Sequence, residues 1–296
     1  MKQLVILSGK GGTGKTTVAA GLAHLAHQTL DIVLADADVD AANLGLVLAP
    51  VVVETHDFTG GRIAEIDPET CIGCGQCAEV CRFDAILQAG DVFVVDDIAC
   101  EGCAACHYVC PVDAIRMVSQ HAGRWFNADT RYGPLYHAHL FAGQENSGKL
   151  VTLVKQQGRL RALDDGADLL LVDGPPGIGC PVIAALSGAD LALIVTEPTI
   201  SGAHDMERIL GVAAHFKIPT AVIINKADLS AEQSDAIEAT CATHDVPVIG
   251  RLPYDPNVTV SMVRGQPITT AEGPVSTALR EAWLVLRAQL DMGSRG

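Results

Sequence analysis

Short runs of apolar residues rich in β-branched side chains recur at positions 3–7, 31–35, 168–172, 191–195, 220–224 and 246–250. Each is too short for a buried helix and too uniformly apolar for a half-exposed strand, which predicts strands covered on both faces. Between most of them the apolar positions take helical spacing, predicting helices over 15–28, 148–163, 203–216 and 230–244. Strands alternating with helices imply an α/β fold with a mostly parallel sheet and helices on both sides. The alternation breaks between about residues 60 and 123, a stretch that holds eight of the ten cysteines.

That stretch contains a repeat. The run from Ile66 to Ile86 is echoed by the run from Val95 to Ile115, and both copies end Asp-Ala-Ile. A duplicated unit inside a fold of another kind reads as an insertion, so the expected organisation is 1–60, an insert at 61–122, and 123–296. Each copy has the spacing Cys-x-x-Cys-x-x-Cys-x-x-x-Cys, through Cys71, Cys74, Cys77 and Cys81, then Cys100, Cys103, Cys106 and Cys110, the last followed by Pro111. Three thiolates so spaced wrap one face of an iron–sulfur cubane, while the fourth, on the helix that follows, points to the other cluster. The predicted ligand sets for two [4Fe-4S] clusters are therefore Cys71, Cys74, Cys77 and Cys110 for one, and Cys100, Cys103, Cys106 and Cys81 for the other. Paired Cys-x-x-Cys steps also suit structural zinc, the alternative reading. Throughout its length the insert resembles bacterial two-cluster ferredoxins, with one departure: Arg82 stands where that pattern has proline.

A second motif follows the first predicted strand. Ser8-Gly9-Lys10-Gly11-Gly12-Thr13-Gly14-Lys15-Thr16-Thr17 opens the first helix. Small residues let backbone N–H groups from Gly11, Gly12, Thr13, Gly14, Lys15, Thr16 and Thr17 converge on phosphate oxygens at a helix N-terminus. Lys15 is expected to neutralise the β- and γ-phosphates and Thr16 to ligate Mg2+. The additional Lys10 makes the loop resemble the deviant Walker A motif of the MinD, ParA and nitrogenase iron protein families. That resemblance implies that Lys10 reaches across a dimer to the partner's ATP; otherwise it is a solvated loop lysine. Asp36-Ala37-Asp38-Val39-Asp40 is similar to the switch I segment of the same group, where Asp38 falls at the position that orients the attacking water. Asp36 and Asp40 serve either the metal shell or a turn.

Leu169-Leu170-Leu171-Val172-Asp173-Gly174-Pro175-Pro176-Gly177 is an apolar strand ending in an acid, similar to a Walker B motif leading into switch II, with Asp173 expected on Mg2+. The strand ending at Ile224 leads to Asn225-Lys226-Ala227-Asp228, and the next to Leu252-Pro253-Tyr254-Asp255. Resemblance to MinD-type ATPases puts Asn225 and Asp255 beside the adenine, although Asn-Lys-x-Asp is also a guanine-binding pattern. ATP is expected from the deviant Walker A resemblance.

Charge narrows the partners. With 20 Lys plus Arg against 35 Asp plus Glu, the net charge of −15 repels a phosphate backbone, and no basic cluster offsets it. Nucleic acid is not expected as a ligand. The apolar start, residues 3–7, is too short for a signal peptide or a transmembrane segment, which points to a cytoplasmic protein. In that reducing compartment ten cysteines read as metal ligands rather than disulfides. Cys180 stands at a spacing from Asp173 similar to that of the cluster-ligating switch II cysteine of the nitrogenase iron protein; it is either a thiol at a dimer interface or a buried packing group. Cys241, His137 and His139 read as structural, and residues 275–290 as a core-packing helix despite a likeness to the membrane helix of MinD.

Almost end to end the chain resembles MinD-superfamily P-loop ATPases with an inserted ferredoxin domain; Glu145-Asn146-Ser147-Gly148-Lys149-Leu150-Val151 and residues 173–182 share in the likeness. The resemblance implies a homodimer, or a heterodimer with a paralogous ATPase, with ATP, Mg2+ and two [4Fe-4S] clusters as cofactors and a redox or metal-cofactor protein as partner. Three roles are expected from it: nucleotide-gated electron transfer, cluster or metal-cofactor assembly, and MinD-like positioning with structural or sensing clusters.

Overall fold

The computed structural model describes residues 1–141 and 147–292; residues 145 and 146 of the family-like segment lie outside them. In chain order the elements are β1 (Lys2–Ser8), α1 (Lys15–His27), β2 (Ile32–Asp36), α2 (Leu44–Leu48), β3 (Val51–Ile66), α3 (Gln76–Val80), β4 (Ile86–Ala89), β5 (Val92–Val95), α4 (Ala105–Val109), β6 (Ile115–Thr130) and β7 (Gly133–Leu140). They continue with α5 (Ser147–Asp164), β8 (Leu169–Pro176), α6 (Cys180–Leu186), β9 (Leu191–Thr196), α7 (Ile200–His215), β10 (Thr220–Asn225), α8 (Ala231–Thr243), β11 (Val248–Leu252), α9 (Asn257–Val263) and α10 (Pro274–Gln289).

The six strands expected from apolar runs are β1, β2, β8, β9, β10 and β11. They lie parallel in a sheet of order β11-β10-β9-β1-β8-β2-β7-β6-β3. In β1, Leu4 and Ile6 join a core cluster with α1 and α10, while Val5 and Leu7, equally buried, point to the other face. Burial on both faces is why these strands read as unbroken apolar runs. Trp283, Leu286 and Leu290 are buried in the same cluster, so the C-terminal helix packs against the core. Among the described residues no helix is long and apolar enough to cross a membrane.

Strands β3, β6 and β7 extend the sheet beyond the expected set. β7 runs parallel to β2, and a two-residue turn at Arg131 and Tyr132 joins it to β6, so that pair is an antiparallel hairpin. β3 forms the sheet's rim.

Chain contacts divide the protein into two units, one of residues 1–56, 125–139 and 147–292, the other of 57–124 with 140–141. The boundaries fall a few residues outside those expected, because β3 and β6 each begin in one unit and end in the other. In the second unit β4 and β5 form an antiparallel hairpin, and α3 and α4 each carry a third cysteine of a run, Cys77 and Cys106.

Candidate functional sites

The loop between β1 and α1 turns through left-handed backbone at Gly12 and Gly14, with φ of 81° and 92°. Gly14 is required twice over, since a side chain there would also collide with the Asn225 amide. The loop borders an open cleft of about 1600 Å³. Gly11, Gly12, Gly14, Lys15, Thr16, Thr17, Asp38 and Asn225 line it. Thr13 lies buried beneath, and its carbonyl accepts a 2.7 Å hydrogen bond from Asn225 Nδ2.

The cleft lies at the carboxyl ends of parallel strands, where α/β sheets gather their functional groups. Asp173, fully buried near the end of β8, accepts from Lys15 Nζ at 2.7 Å through Oδ1 and from Thr16 Oγ1 at 2.8 Å through Oδ2. Asp38 stands 3.4 Å from the same ammonium. Burial opposes the Lys15 charge, but Asp173 and Asp38 outweigh it and hold the ammonium above its ordinary range. Asp38 itself is raised, chiefly by burial.

Asp36 serves the turn: it accepts from the backbone N–H of Asp38 at 3.2 Å and of Leu44 at 3.0 Å, tying the two ends of the switch I loop together. Burial and the adjacent Asp173 push its carboxyl up to about 8. Asp40 lines the cleft and is exposed.

Of the two expected base-binding groups, one lines the cleft and the other does not. Asn225 reaches the cleft, but its amide nitrogen is committed to the P-loop. Asp255 is not among the lining residues; its carboxylate accepts from the Asn257 N–H at 2.9 Å and caps the start of α9. Asp228 likewise accepts from the Tyr254 N–H at 2.6 Å and does not line the cleft. Leu46, Val258 and Met262 supply an apolar part of the wall, and Asn43, Lys226 and Thr259 a polar part. No motif marks the three apolar residues in the sequence.

Lys10 does not line the cleft. Its ammonium lies 2.6 Å from Glu197 Oε1 and 3.0 Å from Ser201 Oγ. Glu197 also sits 3.4 Å from Lys226. Burial disfavours its charge, yet the two lysines hold its carboxyl below the usual range.

In the second unit the eight cysteines of the repeat divide between two cavities. One is lined by Cys71, Cys74, Cys77 and Cys110 together with Ile66, Phe93 and Pro111. The other is lined by Cys81, Cys100, Cys103 and Cys106 with Ala64, Phe83 and Ile86. Each takes three thiols from one copy and one from the other. Cross-pairing of the halves produces this: Asp67 N–H donates to the Ala114 carbonyl, and Asp96 N–H to that of Ala85. Burial raises the Cys77 and Cys106 thiols, and Cys110 Sγ accepts from the Ala114 N–H at 3.3 Å. Among the described residues no three His, Cys, Asp or Glu side chains converge on one point closely enough for a single metal ion.

Cys180 is exposed at the start of α6, not buried. Cys241 is buried 3.7 Å from Met206 Sδ, its thiol pushed up to about 11 by burial. His137 stacks on Phe126 at 4.8 Å and burial pushes it down to about 4, a neutral packing group.

With the cleft's geometry goes a family. The chain belongs to the CobQ/CobB/MinD/ParA nucleotide binding domain family, whose model matches residues 4–268. It is 37% identical over 224 residues to an uncharacterised protein of Methanocaldococcus jannaschii, covering 76% of this chain and 78% of that one. To the septum site-determining protein MinD of Synechocystis it is 26% identical over 274 residues, 91% of this chain and 82% of that one. Among solved structures, MinD of Pyrococcus horikoshii complexed with Mg-ADP superposes with a TM-score of 0.60 at 20% identity, over 96% of this chain and 95% of that one. MinD of Aquifex aeolicus in complex with MinC gives 0.59 at 20%, over 97% and 96%. These structural likenesses carry the fold, and the family carries the activity: the protein is a MinD/ParA-type P-loop ATPase.

Proposed function

We propose that this ATPase holds two [4Fe-4S] clusters and that its nucleotide state gates electron transfer from them to a partner protein. The observation that carries the reading is the division of thiols: the crossed sets expected from cysteine spacing are the sets that line the two cavities. A cubane needs its thiols spread around a space of its own size, whereas zinc draws four to bonding distance of one point. Eight cysteines in two complete runs favour the former. Bound clusters supply one-electron carriers; the chain supplies eight thiolates and an apolar surround of Ile66, Phe93 and Ile86 that limits water.

In the cleft, Lys15 is assigned to the β- and γ-phosphates, Thr16 and Asp173 to Mg2+, and Asp38 to the attacking water. Their mutual hydrogen bonds supply a two-state element: phosphates and metal compete for Lys15, Thr16 and Asp173, and the switch I loop anchored on Asp36 feels the exchange. Lys10 is assigned to the partner's nucleotide in a dimer. The test is to measure iron, cluster potentials and electron delivery under anaerobic conditions with ATP, ADP and no nucleotide. About eight irons per chain and nucleotide-dependent delivery are expected; identical behaviour in all three states defeats the coupling.

A second reading, a MinD-like positioning ATPase with structural or sensing clusters, is favoured by the names of several relatives, which are septum site-determining proteins. Partner binding that survives removal of both clusters would favour it over electron transfer.

A further inference from the structure

The ammonium of Lys10 has three donors, and three acceptors of its own chain surround it: Glu197 Oε1 at 2.6 Å, Ser201 Oγ at 3.0 Å and Thr199 Oγ1 at 3.5 Å. All three stand at the junction of β9 and α7 and do not themselves line the cleft, although Lys226, beside Glu197, does. Thr199 is fixed in turn, because its hydroxyl accepts from the Gly202 N–H and caps α7. The other Glu197 oxygen faces Lys226, whose ammonium also lies 3.4 Å from the Gly12 carbonyl. Glu197 thus joins the two lysines that flank the P-loop.

We infer that Glu197 is a positioning residue that parks Lys10 in cis and thereby sets the nucleotide concentration at which two chains pair. This rests on the assignment of Lys10 to the partner's ATP. To serve a partner, Lys10 must give up three contacts, one of them ionic, so the parked state opposes pairing. Since Lys10 does not line its own cleft, releasing it leaves the affinity of one chain for ADP where it was. The contact is about one-third exposed on the lysine side, which limits its strength to that of a surface ion pair.

The experiment is sedimentation velocity on the full chain, purified anaerobically, across a titration of a non-hydrolysable ATP analogue with Mg2+, alongside ADP binding by calorimetry. Glu197→Gln is expected to move the pairing midpoint to about two- to fivefold lower nucleotide, the range of a surface ion pair. Ser201→Ala, which leaves the Glu197–Lys226 contact in place, is expected to move it the same way by less. ADP affinity stays unchanged in Ser201→Ala; in Glu197→Gln, which also loosens the cleft-lining Lys226, the pairing midpoint is read relative to any change in ADP affinity. Lys10→Ala is expected to abolish pairing, alone or combined with Glu197→Gln. An unmoved or higher midpoint in Glu197→Gln, with pairing lost in Lys10→Ala, overturns the parking role and spares the Lys10 assignment. A shift in Glu197→Gln with none in Ser201→Ala assigns the effect to Lys226 and also overturns it. Pairing and hydrolysis at native levels in Lys10→Ala remove the assignment itself.

Discussion

The two units of this chain are held together by different means. The ATPase unit is built on a sheet whose central strands bury both faces, and its core cluster runs from Leu4 through Leu171 to Leu286. The cysteine unit has a small cluster of Ala64, Cys77, Ile86, Phe93, Cys106 and Ile115, two of them cysteines facing the cavities. A core of that size does not sustain a domain by apolar burial alone, and small units of this kind depend on metal or cross-links. The difference teaches that the nucleotide cleft belongs to a unit with a full apolar core, whereas under the proposed function the clusters would be part of what holds the cysteine unit together.

Iron removal tests that contrast most strongly. On anaerobic chelation, hydrogen exchange at residues 86–95 is expected to lose its protection while residues 4–7 keep theirs; protection retained in both places after complete iron loss would break the comparison. Next in size is Gly102→Ala. Gly102 has φ of 65° and an added Cβ would run into the Arg62 carbonyl, at a cost of about 3 kcal/mol. Reduced cluster retention on gel filtration is the readout.

On the ATPase side, Lys155 is buried and donates to the carbonyls of Ala185 and Ser187, where α6 ends. Lys155→Met leaves both acceptors unpaired and is expected to cost about 2 kcal/mol in denaturant unfolding. Burial also pushes the Lys155 ammonium down to about 8 from 10.5. Between those values the unfolded chain binds more protons than the folded one, so stability rises with pH across that window, and Lys155→Met should erase this slope.

The smallest effect is a gain. Ala104 holds φ of 64° where the first copy has Gly75 at 78°. Ala104→Gly relieves the left-handed strain and should raise the stability of the cysteine unit by about 1 kcal/mol, read as slower iron loss.

How much of this was legible in the sequence follows from how local each feature is. The P-loop was legible because phosphate needs consecutive backbone donors, and the crossed thiols because a fixed spacing decides which cysteine turns away. The six central strands announced themselves by burial on both faces. Strands β3 and β6 did not: β3 opens on Val51-Val52-Val53 but is exposed from Val51 to Thr55, and β6 mixes exposed with half-buried positions, so neither has the doubly buried run of the central strands. The neighbours of Asp255 and Asn225 were not legible, because a motif fixes where a residue sits but not which partner its side chain takes; here those are Asn257 and Thr13. Glu197 escaped notice because its partner Lys10 lies 187 residues away (197 − 10 = 187).

The sharing of thiols makes the two halves of the repeat interdependent. Each cysteine-lined cavity draws its fourth thiol from the other copy, so neither copy carries a complete set by itself. Deleting either copy would break both sets of four instead of one.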